Sequence, residues 1–287
     1  MARYAYVNGR YVDHRDASVH IEDRGYQLAD GVYEVVGVRD GKLIDEGPHI
    51  DRLDRSLGEL RIAWPVSRPT LGFIIRELMR RNRLRDGLVY MQVTRGVARR
   101  DHGFPTTPVK PALVMTTKNS KRAEADAGAG VAVKSHPDIR WGRCDIKTVA
   151  LLPNALAKQA ARESGAYEAW LVDDRGRVTE GASTNAWIVT QDGELVSRQT
   201  DHGILAGITR HTLKSLVDAL QLKVVERPFT LAEAKKAKEA FITSATAFVT
   251  PVVKIDGEPV GDGKVGATAR RLREEYVRFA ASGEAVT

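Results

Sequence analysis

Cysteine is almost absent from this chain. A single one, Cys144, stands among 287 residues, which excludes an internal disulfide framework and fits a reducing compartment. As a lone thiol it reads as buried or half-buried in a strand. Aromatic residues are also few, at 6%, and none interleave the basic stretch Arg76, Arg80, Arg81, Arg83 and Arg85. That stretch therefore reads as a solvated helix face, and no nucleic-acid partner is expected. The net charge of +7 suits anionic cofactors and substrates equally well. Long apolar runs are missing too. The stretch AGAGVAV near residue 130 is far too short to span a membrane, and the N-terminal MARYAYVNGRYVD has no apolar signal core. The expected location is the cytoplasm, without a membrane partner. No cysteine–histidine cluster has metal-ligand spacing, so no metal is expected.

What is present is a chain 43% hydrophobic, enough for one large domain or two modest ones. The first fifty residues read mainly as strands. Asn8-Gly9 and Asp40-Gly41 mark hairpin turns, and GVYEVVGVR between them is valine-rich. From Pro48 the apolar period becomes helical through Ile50, Leu53, Leu57 and Leu60, predicting a helix that ends near Pro65. A second helix carries Leu71, Ile74, Ile75 and Leu78, with Thr70 as its cap. LVYMQVTRG and KPALVMTT return to strand character, separated by the loop VARRDHGFPTTP. Residues 119–130 are polar and rich in alanine and glycine, and they read as the connection into a second half. That half mixes the strands VAVKSH, EAWLVD, VTEG, NAWIVT and ELVS with a helix from Pro153 to Ser164 and another after GILAGITR. LAEAKKAKEA reads as a short helix, FITSATAFVTPVVKI as mostly strand, and GATARRLREEYVRFA as a C-terminal helix. The strand–helix alternation of a doubly wound sheet is absent, so the expected class is α+β in two domains, residues 1–120 and 121–287.

Several positions have the chemistry of a site, each beside a plainer reading. Of fourteen lysines, most fall in polar, solvated settings. Lys147 instead lies between Cys144-Asp145-Ile146 and Thr-Val-Ala-Leu-Leu, apolar surroundings in which an amine favours its neutral, nucleophilic form; lysines beside apolar strands also simply snorkel. Glu180 sits in VTEGASTNAW, a turn composition equally suited to lining a ligand or to facing water. Gly203, Gly207 and Thr209 precede a helix and could offer amides and a hydroxyl to a phosphate. Thr243, Ser244 and Thr246 form a second hydroxyl-rich segment. Arg52 points away from the Ile50/Leu53/Leu57 stripe, toward a phosphate or toward water. Arg100 and His102 stand two apart in a proline-bounded loop, where they could clamp a carboxylate. Tyr33 fits a half-buried strand position as readily as a site.

In their order along the chain, these segments resemble the class IV, or fold type IV, pyridoxal-phosphate enzymes, and most of all the D-amino-acid aminotransferase branch. The resemblance runs through DRGYQLADGVYEV, HIDRL, VTRGVARRDHGFP, CDIKTVALLPNALAKQAA, VTEGASTNAWIV, GILAGITR and FITSA. It implies pyridoxal 5'-phosphate as cofactor, held between the two domains, with a barrel-like mixed sheet and packed helices in the second. It implies Lys147 as the Schiff-base lysine and Glu180 as the partner of the pyridine nitrogen. Arg52, Ile208, Thr209, Ser244 and Ala245 then lie on the phosphate side. Tyr33, Arg100 and His102 match the substrate-carboxylate trap, the last two supplied by the neighbouring subunit of a homodimer.

The implied reaction is a ping-pong transfer of the amino group of a D-amino acid to a 2-oxo acid, 2-oxoglutarate or pyruvate, with Lys147 moving the Cα proton. Branched-chain L-aminotransferase, R-selective amine transaminase and aminodeoxychorismate lyase are the alternatives on the same scaffold; the branched-chain enzymes lack the RxH loop pattern. Two positions depart from the family pattern: Trp187 replaces a usual phenylalanine or tyrosine, and Ala245, in SATAF, a frequent threonine. Phe248, nearby, could also reshape the substrate pocket.

Overall fold

The computed structural model describes residues 3–119, 128–220 and 222–282, and the connection expected near 119–130 lies largely outside them. The chain separates into two compact units, Met1–Arg122 with Ile146–Ala150, and Ala123–Asp145 with Leu151–Thr287.

The first unit contains β1 (Tyr4–Val7), β2 (Arg10–Asp13), α1 (Arg24–Leu28), β3 (Gly31–Arg39), β4 (Lys42–Leu43), α2 (Glu46–Glu59), α3 (Arg68–Asn82), β5 (Gly87–Thr94) and β6 (Ala112–Asn119). Its strands form one antiparallel sheet in the order β2-β1-β6-β5-β3-β4. Period-two alternation sends Val32, Glu34, Val36 and Val38 of β3 to one face. There the valines join Val89, Met91 and Val93 of β5 and the apolar stripes of α2 and α3, including Leu53, Leu57, Leu71 and Leu78. The opposite face carries Tyr33, Tyr90 and Gln92, half-buried.

The expected hairpins and paired helices are present, with three corrections. The first fifty residues include the short helix α1, capped by the Asp23 carboxylate on Gly25 N. α2 stops at Glu59 rather than near Pro65, because Arg61 turns left-handed at φ 52° and Ile62 N donates back to Leu57 O at 2.9 Å, closing the helix end. The cap of α3 is Ser67, whose Oγ accepts from Thr70 N at 3.3 Å; Thr70 is already inside the helix.

The second unit contains β7 (Val131–Pro137), α4 (Leu152–Glu163), β8 (Glu168–Val172), β9 (Arg177–Gly181), β10 (Asn185–Val189), β11 (Leu195–Ser197), α5 (Ile208–Ala219), β12 (Val224–Glu226), β13 (Phe229–Thr230), α6 (Leu231–Lys235), β14 (Glu239–Ser244), β15 (Phe248–Ile255), β16 (Glu258–Pro259) and α7 (Ala267–Ser282). Its mixed ten-stranded sheet runs β12-β11-β10-β14-β15-β7-β8-β9-β13, with β16 beside β15. The pairs β11/β12, β15/β7 and β7/β8 are parallel. The helices α4 and α7 pack on this sheet, which completes the expected two-unit α+β architecture. Trp187 belongs to the core: it is fully buried, stacked on Phe241 at 5.5 Å, with Nε1 donating to Thr243 Oγ1 at 3.1 Å. Phe248 is buried against Tyr276 of α7, ring centroids 4.7 Å apart. Cys144 is half-buried as expected, but it stands in an irregular segment rather than a strand. Its backbone N donates to His202 O, and burial pushes the thiol up to about 11.

Candidate active site

Lys147 is placed by the sheet of the first unit. β5 and β4 leave the start of β3 with one open edge, and the segment Ile146–Ala150 fills it. Thr148 bridges Val32, Tyr33 N donates to Lys147 O at 3.0 Å, and Val149 N donates to Gly31 O at 3.1 Å. Lys147 N in turn donates to Ser56 Oγ of α2 at 3.4 Å. The side chain folds over β3, with Nζ 4.3 Å from the centre of the Tyr33 ring. Tyr33 stacks on Tyr90 with centroids 5.7 Å apart, and the Tyr90 hydroxyl donates to Gln92 Oε1 at 2.7 Å. Burial pushes that hydroxyl up to about 12, so it remains a donor at neutral pH.

Arg52 stands one helical turn before Ser56 on α2. The alternative that it faces water is overturned, since only 9% of its side chain is exposed. Its Nε and Nη2 donate to the two carboxylate oxygens of Glu34, at 2.7 and 2.9 Å. His49 Nδ1 lies 2.7 Å from Glu34 Oε2. Burial alone would raise the Glu34 carboxyl, but the Arg52 charge and the hydrogen bonds from Arg52 and His49 hold it far below the usual carboxylate range. Glu34 thus fixes the guanidinium in a bidentate fork. Arg100 and His102 lie exposed on the loop between β5 and β6.

In the second unit Glu180 is the penultimate residue of β9 and is buried. Its carboxylate is bound by the Arg140 guanidinium, by Asn185 Nδ2 at 2.9 Å and by Leu205 N at 3.2 Å. Arg140 is also held by Asp138 at 2.7 Å and by Gly203 O at 3.1 Å. Burial would weaken the Arg140 charge, but Asp138 and Glu180 raise its proton affinity above the ordinary arginine value. Asn185 also donates to Leu205 O at 3.0 Å, which ties the Glu180 turn to the segment before α5. At Gly207 a Cβ would sit 2.0 Å from Asn185 Oδ1, so only glycine allows this approach.

Ile208 and Thr209 open α5. Among the described residues Thr209 Oγ1 is buried and has no hydrogen-bond partner. A buried hydroxyl without a partner costs stability unless a ligand supplies one. With helix-opening amides beside it, it fits a phosphate oxygen. Ser244 and Ala245 follow from the pairing of β10 with β14, which sets Thr243 opposite Asn185. Ser244 Oγ accepts from Ala247 N at 3.1 Å, closing the turn between β14 and β15.

The structure thus gathers Lys147, Tyr33 and the Arg52 helix in the first unit, and Glu180, Thr209 and the Ser244 turn in the second. Glu34, His49, Tyr90, Arg140 and Asn185 were not singled out from the sequence. Of these Glu34 left a signal as a charge in an otherwise valine-rich strand, and Asn185 as the asparagine of the VTEGASTNAW turn. Among the described residues no group of three or more His, Cys, Asp or Glu is placed to hold a metal ion, and no helix is long and apolar enough to cross a membrane.

The family model for amino-transferase class IV matches residues 31–255. A D-alanine aminotransferase of Staphylococcus haemolyticus is 41% identical over 275 residues, covering 96% of each chain. One of Listeria monocytogenes serotype 4b (strain F2365) is 40% identical over 274 residues, covering 94% of each. Among solved structures, a T.th. branched-chain amino acid aminotransferase with pyridoxamine 5'-phosphate is similar at a TM-score of 0.87 and 26% identity, covering 98% of this chain and 95% of that one.

Proposed function

This chain belongs to the class IV aminotransferase family, and on that premise we propose that it transfers the amino group of a D-amino acid to a 2-oxo acid, 2-oxoglutarate or pyruvate, in two half-reactions. The observation that carries this reading is the 40–41% identity, over nearly the whole chain, to D-alanine aminotransferases. The Arg100-Asp101-His102 loop supports it on the substrate side.

The residues present fit pyridoxal 5'-phosphate. Lys147 is the amine to hold it covalently, Glu180 the carboxylate for its ring nitrogen, and Arg52, Thr209, the Ile208 amide and the Ser244–Ala245 turn the donors for its phosphate. When bound, the cofactor supplies an electron-withdrawing ring that stabilises negative charge at the substrate Cα. Lys147 Nζ would take the Cα proton as base and, as the resulting acid, deliver it to the cofactor's C4′ rather than back to Cα. Glu180 holds the proton on the ring nitrogen, and its bonds to Arg140, Asn185 and Leu205 N keep its orientation set before reaction begins. The Tyr33 ring limits where the Lys147 amine can swing. Arg100 and His102, with Tyr33, bind the substrate carboxylate and so select which hand of amino acid turns its Cα–H toward Lys147.

In this reading Arg100 and His102 come from the neighbouring chain of a homodimer. Exposed apolar side chains support such an association: Ile21, Tyr26 and Phe104 in the first unit, and Trp141, Leu152 and Leu156 in the second. The single, half-buried cysteine suits the reducing cytoplasm.

Matched half-reactions with D- and L-amino acids, followed by the change in cofactor absorbance, test the proposal. D-alanine or D-glutamate should react faster than L-leucine. The reverse order would make the chain a branched-chain L-aminotransferase. Release of pyruvate from aminodeoxychorismate, with neither enantiomer converted, would make it a lyase, and a preference for R-amines lacking a carboxylate an amine transaminase.

A further inference from the structure

Three buried charges meet beside the loop that carries Arg100 and His102, and the reaction as described does not use them. Arg24 opens α1 with 2% of its side chain exposed, Asp30 precedes β3 with 9%, and Arg95 follows β5 with 10%. Arg24 Nε and Arg95 Nε both donate to Asp30 Oδ2 at 2.7 Å, and Arg95 Nη2 donates to Asp30 Oδ1 at 3.0 Å. Burial would raise the Asp30 carboxyl, but Arg95 and Arg24 outweigh it and hold it below its ordinary value. The carboxylate therefore ties two guanidinium groups into one rigid unit.

That unit reaches into the loop at two points. Arg24 Nη1 donates to Asp101 O at 2.7 Å, fixing the backbone carbonyl between Arg100 and His102. The Arg95 guanidinium lies 3.7 Å from the centre of the Phe104 ring, two residues past His102. Arg95 is anchored in turn by Leu60 O at 2.8 Å and Arg61 O at 3.0 Å, beyond the end of α2. The neck of the loop is also pinned. Arg24 N donates to Gly96 O, and Gly96, at φ +100°, passes so close to Lys110 O that a Cβ would sit 2.1 Å from it. A thirteen-residue excursion, 97–109, would otherwise leave an exposed arginine and histidine free to sample many positions.

We propose that Arg24 and Arg95, coupled through Asp30, are positioning residues for the carboxylate trap: they set the backbone from which Arg100 and His102 reach the substrate. The inference rests on the reading of that loop as the trap. Two buried arginines on a single carboxylate exceed what an ordinary surface loop needs, and Arg24 Nη1 and Arg95 Nη1 and Nη2 donate to backbone carbonyls, with Arg95 over the Phe104 ring, contacts that do not depend on the state of the substrate. The pair that contacts substrate is thereby held by groups that never touch it.

The experiment is a double-mutant cycle on the holoenzyme with D-alanine, using Arg24→Met, Arg100→Ala and the double variant, with Phe104→Ala as a second route to the same loop. Phe104 is half-exposed, so its truncation leaves the core intact if Arg24→Met fails to fold. Arg24→Met should raise KM about tenfold with kcat within about twofold, and Phe104→Ala should raise KM about threefold. In the double variant KM should match that of Arg100→Ala alone, because the arginine to be positioned is gone. Cofactor retention should be unchanged in all of them. If Arg100→Ala raises KM but neither Arg24→Met nor Phe104→Ala does, or if the Arg24 and Arg100 effects simply multiply, the positioning role is overturned while the trap stands. If Arg100→Ala leaves KM unchanged, the trap reading itself fails and the inference falls with it.

Discussion

The amine of Lys147 lies 4.3 Å from the centre of the Tyr33 ring, and the same two residues are joined through the backbone by Tyr33 N to Lys147 O at 3.0 Å. One strand edge therefore places both the Lys147 amine and the aromatic surface beneath it. The ring face and the hydroxyl of Tyr33 have separable tasks. Tyr33→Phe keeps the face and should raise KM for D-alanine with kcat within about threefold. Tyr33→Leu also removes an amine–ring contact worth about 0.5–2 kcal/mol and should lower kcat by a further ~2–30-fold. Steady-state kinetics of both variants check this; identical behaviour would deny the ring any role in placing the amine.

Glu180 depends on a buried arginine. Removing it in Arg140→Leu leaves the Asp138 and Glu180 carboxylates without their shared partner, at a cost of about 3–5 kcal/mol. Thermal unfolding should show a clear drop in Tm. Glu180→Gln should instead fold normally and lose turnover by about 10²–10³-fold, as expected for a group that matters mainly in the transition state. A Glu180→Gln enzyme with full kcat would remove this carboxylate from the chemistry.

Acid should loosen the first unit in two stages. Burial depresses His49 below its ordinary value of 6.5, and Arg52 and His49 together depress Glu34 below 4.5. Between the folded and the ordinary value of each group the unfolded chain binds more protons, so stability is full above the ordinary values and falls with decreasing pH. Denaturant midpoints should begin to decline below about pH 6.5 through His49 and steepen below about pH 4.5 through Glu34. His49→Asn should flatten the upper stage only. A midpoint constant from about pH 7 to about pH 4 would contradict both assignments.

The unpartnered hydroxyl of Thr209 gives a test in which stability and binding move apart. Thr209→Val removes a buried polar atom that has no partner among the described residues, so Tm without cofactor should hold or rise slightly. Lost contact with a phosphate should weaken cofactor retention by about tenfold or more, the scale of a hydrogen bond to a charged group. Retention is read by dialysis against a competing apo-enzyme. Unchanged retention would place the phosphate elsewhere.

Local chemistry made much of the fold legible. The Asn8-Gly9 turn, the apolar period of α3 and the valine-rich run of β3 each depend on a few neighbouring residues, and each is found where the sequence places it. The cap of α3 was misplaced by three residues because serine and threonine both stand near its start, and only the hydrogen bond from Thr70 N to Ser67 Oγ distinguishes them. A lone cysteine carries no local signal that separates strand from irregular backbone; here the Cys144 N bonds to His202 O and its thiol to Trp141 O, outside any strand ladder.

By itself the sequence determined the class, two α+β units, and the residue types at each motif, since periodicity, turn chemistry and motif order are properties of the chain alone. Tertiary structure decided which charges meet. That Glu34 grips Arg52, that Arg140 rather than water faces Glu180, and that Asp30 couples Arg24 to Arg95 all follow from sheet register and helix docking across 18, 40 and 65 positions of sequence. An ion pair leaves no periodic trace in a sequence. It forms where two distant backbones bring opposite charges together out of water, and that proximity is a property of the folded chain.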